Sequence, residues 1–196
     1  PDPFAIWRIS PSVCRQLNLS SRLAGRDLKV DYLIVGQGLA GSLLAWHGLE
    51  RGKQILVVDR DQPVTSSKVA AGLATPISGQ QFSLPADFDI SLGLAKKTYQ
   101  DIAARLGEVF FHDLPIARLF EGPADVARWN KRLRSPGGAA RYHDFHGELT
   151  VDTDLIRADH GGIEIQKGGW LNVRRFVEKM RDYLLQRSAY QIARVE

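Results

Sequence analysis

The amino-acid sequence predicts an α/β fold built on a parallel sheet, and three observations support that class. A short apolar run at 31–35 leads directly into three glycines spaced G-x-G-x-x-G. A helical pattern begins at once, and a second run of branched apolar residues follows at 54–58. That second run ends in an acidic residue, Asp59. Strand, glycine turn, helix, strand and acid in this order are typical of a Rossmann-like unit that binds a dinucleotide.

Each glycine of the turn has its own physical reason. Gly36 permits the tight turn out of the strand, and Gly38 leaves the backbone open to a pyrophosphate. Gly41 lets the helix pack closely on the strand. The N–H groups of Leu39 and Ala40 lie at the positive end of the helix dipole, where phosphate oxygens are favoured. The alternative is a chance βαβ unit, since 18 glycines in 196 residues can produce this spacing without function.

The acid after the second strand predicts the position of an adenosine ribose. Asp59 follows Gly41 by 18 positions (59 − 41), close to the spacing at which this fold places a ribose-binding carboxylate. A carboxylate there accepts hydrogen bonds from both ribose hydroxyls and repels a 2′-phosphate. We assign Arg60, the next residue, to the same cofactor site.

Length and composition restrict the function classes. A chain of 196 residues fits one domain or slightly more, and 44% hydrophobic with 24% charged residues is ordinary for a globular protein. The net charge of +4 is spread along the chain without interleaved aromatic residues, so no nucleic-acid partner is expected. The single cysteine, Cys14, excludes an internal disulfide and favours a reducing, cytoplasmic location. No apolar run is long enough to span a membrane.

The segment 61–79 is dense in small and hydroxyl-bearing side chains, which let a flat ring system approach the backbone. A flexible loop is the alternative interpretation. Together with the glycines and Asp59, its Ser-Ser-x-x-Ala-Ala-Gly pattern resembles the flavin-binding part of the D-amino-acid oxidase-like family, which includes glycine oxidase. The resemblance implies FAD as the cofactor. It also implies that the FAD pyrophosphate and ring lie beside five residues of the pattern, namely Ser66, Ser67, Lys68, Ala71 and Gly72.

The resemblance also implies a domain organisation. Residues 31–76 form the FAD-binding segment of a Rossmann-like, three-layer domain, and 77–168 begin an inserted α+β substrate domain. Residues 169–196 form a helix and a strand that return to the FAD-binding domain, where Val195 contacts adenine through its backbone. Residues 1–30 are an amino-terminal appendage, either disordered or not native to the domain. Because family members are much longer, we expect the chain to be truncated.

Hydrophobic periodicity and turn residues predict the elements after the flavin segment. A helix is expected over 89–106, closed by Gly107, and a second helix begins at Pro123. A third begins after Asn172 and carries an apolar stripe. Strands are predicted at four further places, namely 109–111, 114–120, 162–166 and 190–195.

Three polar side chains in the predicted substrate domain have two interpretations each. His143 and His146 have a spacing that a metal could use, but no further ligand pattern accompanies them, and solvated loop histidines are the preferred interpretation. Arg118 lies on a predicted strand, where it either meets a substrate carboxylate or forms an ordinary surface ion pair. No catalytic residue and no metal ligand are assigned.

The resemblance therefore implies an FAD-dependent oxidoreductase that acts on a small-molecule amine or amino acid by hydride transfer to the flavin. The alternatives are an NAD-dependent or two-dinucleotide oxidoreductase, and a non-catalytic nucleotide-binding or interaction fragment. Uncovered strand edges predict aggregation or pairing with a partner, including a homo-oligomer.

Overall fold

The computed structural model describes residues 7–9, 28–150 and 156–192. The described residues form two compact units. The first contains those up to Ala71 and those from Val173 onward, and the second contains those from Gly72 to Asn172. The unit boundaries thus fall a few residues outside the predicted 77–168 segment.

The amino-terminal segment contains regular structure where it is described. Strand β1 (Trp7–Ile9) pairs antiparallel with β2 (Leu28–Val30), and Trp7 lies opposite Val30. Both strands alternate apolar and charged residues, the period that a half-buried strand requires. Within the predicted appendage 1–30, the described residues thus form a strand pair, and 1–6 and 10–27 lie outside the described residues.

The first unit is organised around a parallel sheet of three strands in the order β11 (Tyr190–Ile192), β4 (Ile55–Asp59) and β3 (Tyr32–Val35). Its central strand has four consecutive buried residues, from Ile55 to Val58, which is why its sequence is a continuous apolar run. This sheet confirms the predicted α/β class.

Two longer helices belong to the first unit, and each presents apolar side chains to the core. Helix α1 (Leu39–Glu50) buries Trp46, whose ring centroid lies 5.6 Å from that of Tyr183. A short helix, α2 (Ser66–Val69), follows β4. Helix α6 (Val173–Gln186) buries the whole predicted stripe, namely Val173, Phe176, Val177, Met180 and Leu184.

The second unit is α+β. One antiparallel sheet has the order β5 (Leu73–Ala74), β10 (Gly169–Leu171), β6 (Phe111–Asp113). The other has the order β7 (Ile116–Leu119), β9 (Gly162–Ile165), β8 (His146–Gly147).

The helices of the second unit are α3 (Phe88–Leu106), α4 (Pro123–Arg134) and α5 (Gly138–Tyr142), which a 3₁₀ turn (His143–Phe145) follows. Helix α3 ends at Gly107, which has a positive φ of 71°. This is the left-handed conformation that ends many helices and that favours glycine. One buried apolar cluster of the unit contains Ile77, Phe82, Leu84, Trp129, Tyr142, Ile163 and Ile165.

One predicted strand is displaced. The apolar run 109–111 predicted a strand there, but β6 begins at Phe111, which lies opposite Leu171 of β10. Val109 is 63% exposed and Phe110 is fully buried before the strand begins. The pairing register therefore fixes the strand two residues later than composition suggested. Among the described residues, no helix has the length and apolar character to cross a membrane.

Candidate dinucleotide-binding site

The turn that leaves β3 is joined to the central strand by its first glycine. Gly36 has a φ of +98°, a conformation that residues with a side chain rarely adopt. Its N–H donates to the carbonyl oxygen of Val58 at 2.8 Å. The positive φ and this bond turn the chain sharply from β3 into α1, as the glycine pattern predicts.

The other two glycines are required by close approaches. A Cβ added at Gly41 would lie 2.0 Å from the carbonyl oxygen of Gly36, so the helix packs on the turn with no room for a side chain. A Cβ added at Gly38 would lie 2.8 Å from the Oγ of Ser67. The backbone of Gly38 therefore faces the hydroxyl-rich segment that follows β4.

The Asp59 carboxylate is held by two backbone donors. Gln37, between the first two glycines, donates its N–H to Oδ2 at 2.7 Å, and Asp61 donates its N–H to Oδ1 at 2.7 Å. Asp59 is half-buried and Arg60 is exposed. Each carboxylate oxygen has a second lone pair, so Asp59 retains acceptor capacity for ribose hydroxyls while it fixes the glycine turn.

The segment after β4 reaches the start of α1 through Ser67. The Ser67 Oγ accepts from the N–H of Leu39 at 3.0 Å, and Thr65 caps the short helix by accepting from the N–H of Lys68 at 3.3 Å. The ammonium group of Lys68 donates to the carbonyl oxygen of Gln62 and lies 3.8 Å from Asp61 Oδ1. Ser67 thus contacts the glycine turn, whereas Lys68 is engaged within its own loop.

The remaining predicted site residues have separate positions. The exposed ones are Ala40, Ser66 and Ala71. Ala71 is the last residue of the first unit before the chain enters the second unit. Gly72 has a φ of 75° and begins the second unit, where its carbonyl oxygen accepts from the N–H of Leu171 at 2.9 Å. Val195 lies outside the described residues.

Sequence reasoning missed the side chain that anchors the turn. Gln37 is 3% exposed, and its Nε2 donates to Ser42 Oγ at 2.8 Å and to the carbonyl oxygen of Val177 at 2.9 Å. Arg181 donates to Gln37 Oε1 at 3.4 Å. The only sequence signal was a large amide between two glycines, where a small or apolar residue would suffice for the turn alone.

The site fits a dinucleotide by its shape and its donors. A cavity of about 540 Å³ opens beside β3 and the start of α1, and it is lined by the three glycines, Leu39, Ala40 and Ser67 among others. A Cβ at Gly38 would enter the gap between the turn and Ser67. The open backbone, the helix N-terminus and the Asp59 acceptor are the groups that a diphosphate and a ribose require.

The other candidate side chains are engaged inside the second unit. Arg118 donates to the carbonyl oxygens of Ile77 at 3.2 Å and Gly79 at 2.7 Å, and its guanidinium lies 4.0 Å from the Phe82 ring centroid. Burial lowers the pKa of Arg118 below its usual value. Neither the predicted surface ion pair nor an open carboxylate site describes this guanidinium, because backbone carbonyls and an aromatic ring surround it.

The two histidines lie in different surroundings. His143 Nδ1 lies 2.9 Å from an oxygen of Asp144, and both side chains are exposed. The His146 ring packs edge-on against Trp129 at 4.9 Å, and burial lowers the pKa of His146. Within the described part of the chain, no three His, Cys, Asp or Glu side chains are grouped as a metal site would require.

Comparisons with known proteins place this geometry in a family. Residues 31–195 match the family described as DAO, FAD dependent oxidoreductase. Glycine oxidase from Bacillus cereus ATCC 14579 is similar in structure with a TM-score of 0.58 and 19% identity, over 85% of this chain and 48% of that chain. For glycine oxidase from Geobacillus kaustophilus the values are 0.65, 13%, 83% and 46%.

Iminodiacetate oxidase from Chelativorans sp. BNC1 is also similar, with a TM-score of 0.59 and 19% identity over 82% of this chain and 45% of that chain. At such low identity these likenesses establish the fold. The chain spans slightly less than half the length of each of these oxidases.

Proposed function

The chain belongs to the DAO family of FAD-dependent oxidoreductases, and we propose that its first compact unit binds the ADP half of FAD at the glycine turn. One observation carries the proposal. The N–H of Gln37, the residue between Gly36 and Gly38, donates to Asp59 Oδ2 at 2.7 Å. The phosphate-binding turn and the ribose-binding acid are therefore fixed to each other before a nucleotide arrives.

The chain's own residues bind and orient the cofactor. The backbone of Gly38 and Ala40 takes the diphosphate, because the start of α1 supplies N–H groups and the positive end of the helix dipole. Leu39 lines the same cavity, and its N–H donates to Ser67 Oγ at 3.0 Å. Asp59 accepts from the ribose hydroxyls through its remaining lone pairs. Three further residues of the first unit form the wall toward the diphosphate and the ring, namely Ser66, Ser67 and Ala71, and Lys68 and Arg60 flank it. FAD, when bound, supplies the group that accepts a hydride.

We further propose that the protein of which this chain is part oxidises an amine or amino acid. The names of the similar structures, glycine oxidase and iminodiacetate oxidase, support that substrate class. The second compact unit, which contains most of the predicted 77–168 segment, is the proposed substrate-binding part. Its α+β composition is that of the expected inserted domain.

The binding step is tested by titration of the purified chain with FAD, FMN, ADP and NAD⁺. We expect FAD and ADP to bind and FMN to bind weakly, because FMN lacks the adenosine and one phosphate. Gly38→Val should abolish FAD binding by closing the backbone approach. The matched control is Gly93→Ala, in the second unit, where an added Cβ meets nothing within 4 Å. Unchanged FAD affinity in the Gly38 variant would reject the site, and a preference for NAD⁺ would favour the dehydrogenase alternative.

The catalytic step is tested separately by flavin bleaching under anaerobic conditions with a panel of glycine, sarcosine, iminodiacetate and D-amino acids. Reduction by one of these substrates supports the oxidoreductase proposal. Tight FAD binding with no reduction by any of them would instead support a nucleotide-binding fragment.

A further inference from the structure

We infer that Arg181, on α6, is a positioning residue that fixes the Asp59 carboxylate toward the ribose, an inference that rests on the proposed nucleotide site. Two backbone N–H groups hold Asp59, one from Gln37 and one from Asp61, each at 2.7 Å. The side chains of the same two residues are bridged by one guanidinium. Arg181 Nη1 lies 2.5 Å from Asp61 Oδ1, and its Nε donates to Gln37 Oε1 at 3.4 Å.

The bridge matters most at Asp61, because the backbone there is in an uncommon conformation. Asp61 has a φ of 52°, in the left-handed region that costs free energy for a residue with a side chain. Such conformations persist only where the surroundings impose them. The Asp61 N–H reaches Asp59 Oδ1 from this conformation, so the contact that holds the Asp61 side chain also holds the donor.

The surroundings make the bridge stronger than a surface ion pair. The Arg181 side chain is 19% exposed and that of Asp61 is 33% exposed, so water screens their attraction less than at a fully exposed site. The planar fork of an arginine reaches two acceptors in different directions, which a lysine ammonium does less well. The Arg181 guanidinium also lies 5.8 Å from the Tyr190 ring centroid on β11.

The two residues that Arg181 contacts, Gln37 and Asp61, differ in how much their positions depend on it. Gln37 keeps its bonds to Ser42 and Val177 when the guanidinium is removed. Among the described residues, the partner left to the Asp61 carboxylate is Lys68, at the longer distance of 3.8 Å. Loss of Arg181 should therefore leave the glycine turn folded but release the Asp61 donor. The Asp59 carboxylate should then keep the Gln37 N–H at Oδ2 but lose the second donor, at Oδ1, that fixes its orientation toward the ribose.

The test compares two nucleotides that differ only at the ribose. ADP and 2′,3′-dideoxy-ADP are titrated calorimetrically into the unaltered chain, into Arg181→Met and into the control Arg174→Met. Arg174 lies on the same helix and pairs with Glu178 at 3.1 Å on the exposed face. We expect Arg181→Met to weaken the affinity for ADP about tenfold, which corresponds to one well-placed hydrogen bond. The dideoxy nucleotide offers Asp59 no hydroxyl, so it should bind to the unaltered chain and to Arg181→Met with nearly the same affinity.

A second variant removes the same ion pair independently, in case Arg181→Met fails to fold. Asp61→Asn removes the charge that Arg181 meets, and asparagine tolerates the left-handed backbone. It should show the same selective loss of ADP affinity, with a melting curve close to that of the unaltered chain.

If Arg181→Met and Asp61→Asn lower the affinities for both nucleotides by the same factor, the effect is a general one on the fold, and the positioning role is overturned. Unchanged ADP affinity in both variants would also overturn it, while leaving the nucleotide site intact. If the unaltered chain binds neither nucleotide, the proposed function fails, and the positioning role fails with it.

Discussion

The Oγ of Ser67 accepts a hydrogen bond from the backbone N–H of Leu39 at 3.0 Å. Leu39 is the first residue of α1, and the N–H groups of a first helical turn have no partner within the helix. A side chain from the segment after β4 thus satisfies a helix N-terminal donor that would otherwise have no partner within the helix. This relationship ties the hydroxyl-rich segment to the glycine turn, and it makes Ser67 and Gly38 a coupled pair.

Gly38→Ala should lower both stability and nucleotide affinity, and Ser67→Ala should rescue only the stability. The added Cβ would lie 2.8 Å from Ser67 Oγ, an overpacking that costs about 1–3 kcal/mol. Deleting that oxygen removes the clash, but the new methyl group still covers the backbone of the proposed diphosphate site. Urea denaturation and FAD titration of both single variants and the double variant separate the two effects. A double variant with restored FAD affinity would show that the backbone approach is not required.

Gly41→Ala should destabilise the first unit more than Gly38→Ala does. The clashing atom at Gly41 is a backbone carbonyl oxygen, that of Gly36 at 2.0 Å, and a backbone atom yields less easily than a side-chain hydroxyl. We expect a loss of about 3 kcal/mol in the free energy of unfolding. Gly93→Ala, on α3, is the matched control and should be neutral or slightly stabilising, because alanine favours a helix. A Gly41 variant as stable as the control would contradict this packing.

The features that the sequence predicted well are those that one segment determines by itself. Helix α6 is predicted by the apolar residues that recur on one of its faces, and β4 is predicted by its run of branched apolar residues. Their observed bounds, Val173–Gln186 and Ile55–Asp59, follow the predictions closely. Two glycines of the turn are equally local, since Gly41 meets Gly36 and Gly36 bonds to the adjacent strand, whereas Gly38 meets Ser67, which follows β4.

The features that it did not predict depend on partners far along the chain. Arg181 and Gln37 are 144 positions apart, and nothing in either segment indicates that a helix side chain reaches the turn. Strand β6 was misplaced for the same reason, because its register is set by β10 rather than by its own apolar content. Arg118 could not be assigned because its acceptors are the carbonyls of Ile77 and Gly79, whose direction a sequence does not specify.

Val35→Lys should reduce self-association of the chain. Val35 is the last residue of β3, the edge strand of the parallel sheet, and it is 83% exposed. An exposed apolar edge is a template for strand pairing, and a lysine there opposes it by charge repulsion. Sedimentation velocity over a range of concentrations should show less oligomer or aggregate than the unaltered chain. Val109→Lys, at an exposed valine of the second unit, is the control for an added charge away from this strand, and equal association in all three chains would exclude this edge.

Arg118→Met should destabilise the second unit without changing nucleotide affinity. The guanidinium donates to two backbone carbonyls, and hydrogen bonds that involve a charged group contribute about 1.5–3 kcal/mol. Methionine keeps the apolar contact with Phe82 but leaves both carbonyls without this donor. The exposed Arg134→Met is the control, and urea denaturation followed by tryptophan fluorescence measures the loss. If Arg118→Met is as stable as Arg134→Met, the guanidinium is not structural and a ligand role for it returns.

Stability should fall as the pH rises through the range of tyrosine ionisation, and Tyr190→Phe should weaken that fall. Burial raises the pKa of Tyr190 to about 12, and Asp59 and Asp61 act in the same direction, whereas Arg181 opposes them. In the unfolded chain a tyrosine titrates near 10. The unfolded state therefore releases its proton first, so the stabilisation is complete below about pH 10 and is lost as the pH approaches 12. Phenylalanine has no proton to release, and the variant's free energy of unfolding should depend less steeply on pH in that window.

Burial also raises the pKa of Tyr99, in the second unit, to about 12, so this tyrosine should make stability depend on pH in the same way. Denaturant titrations at a series of pH values measure the slopes, with Tyr32→Phe as the matched deletion of a half-exposed phenol. A slope unchanged by Tyr190→Phe would mean that this phenol ionises as readily in the folded chain as in the unfolded one.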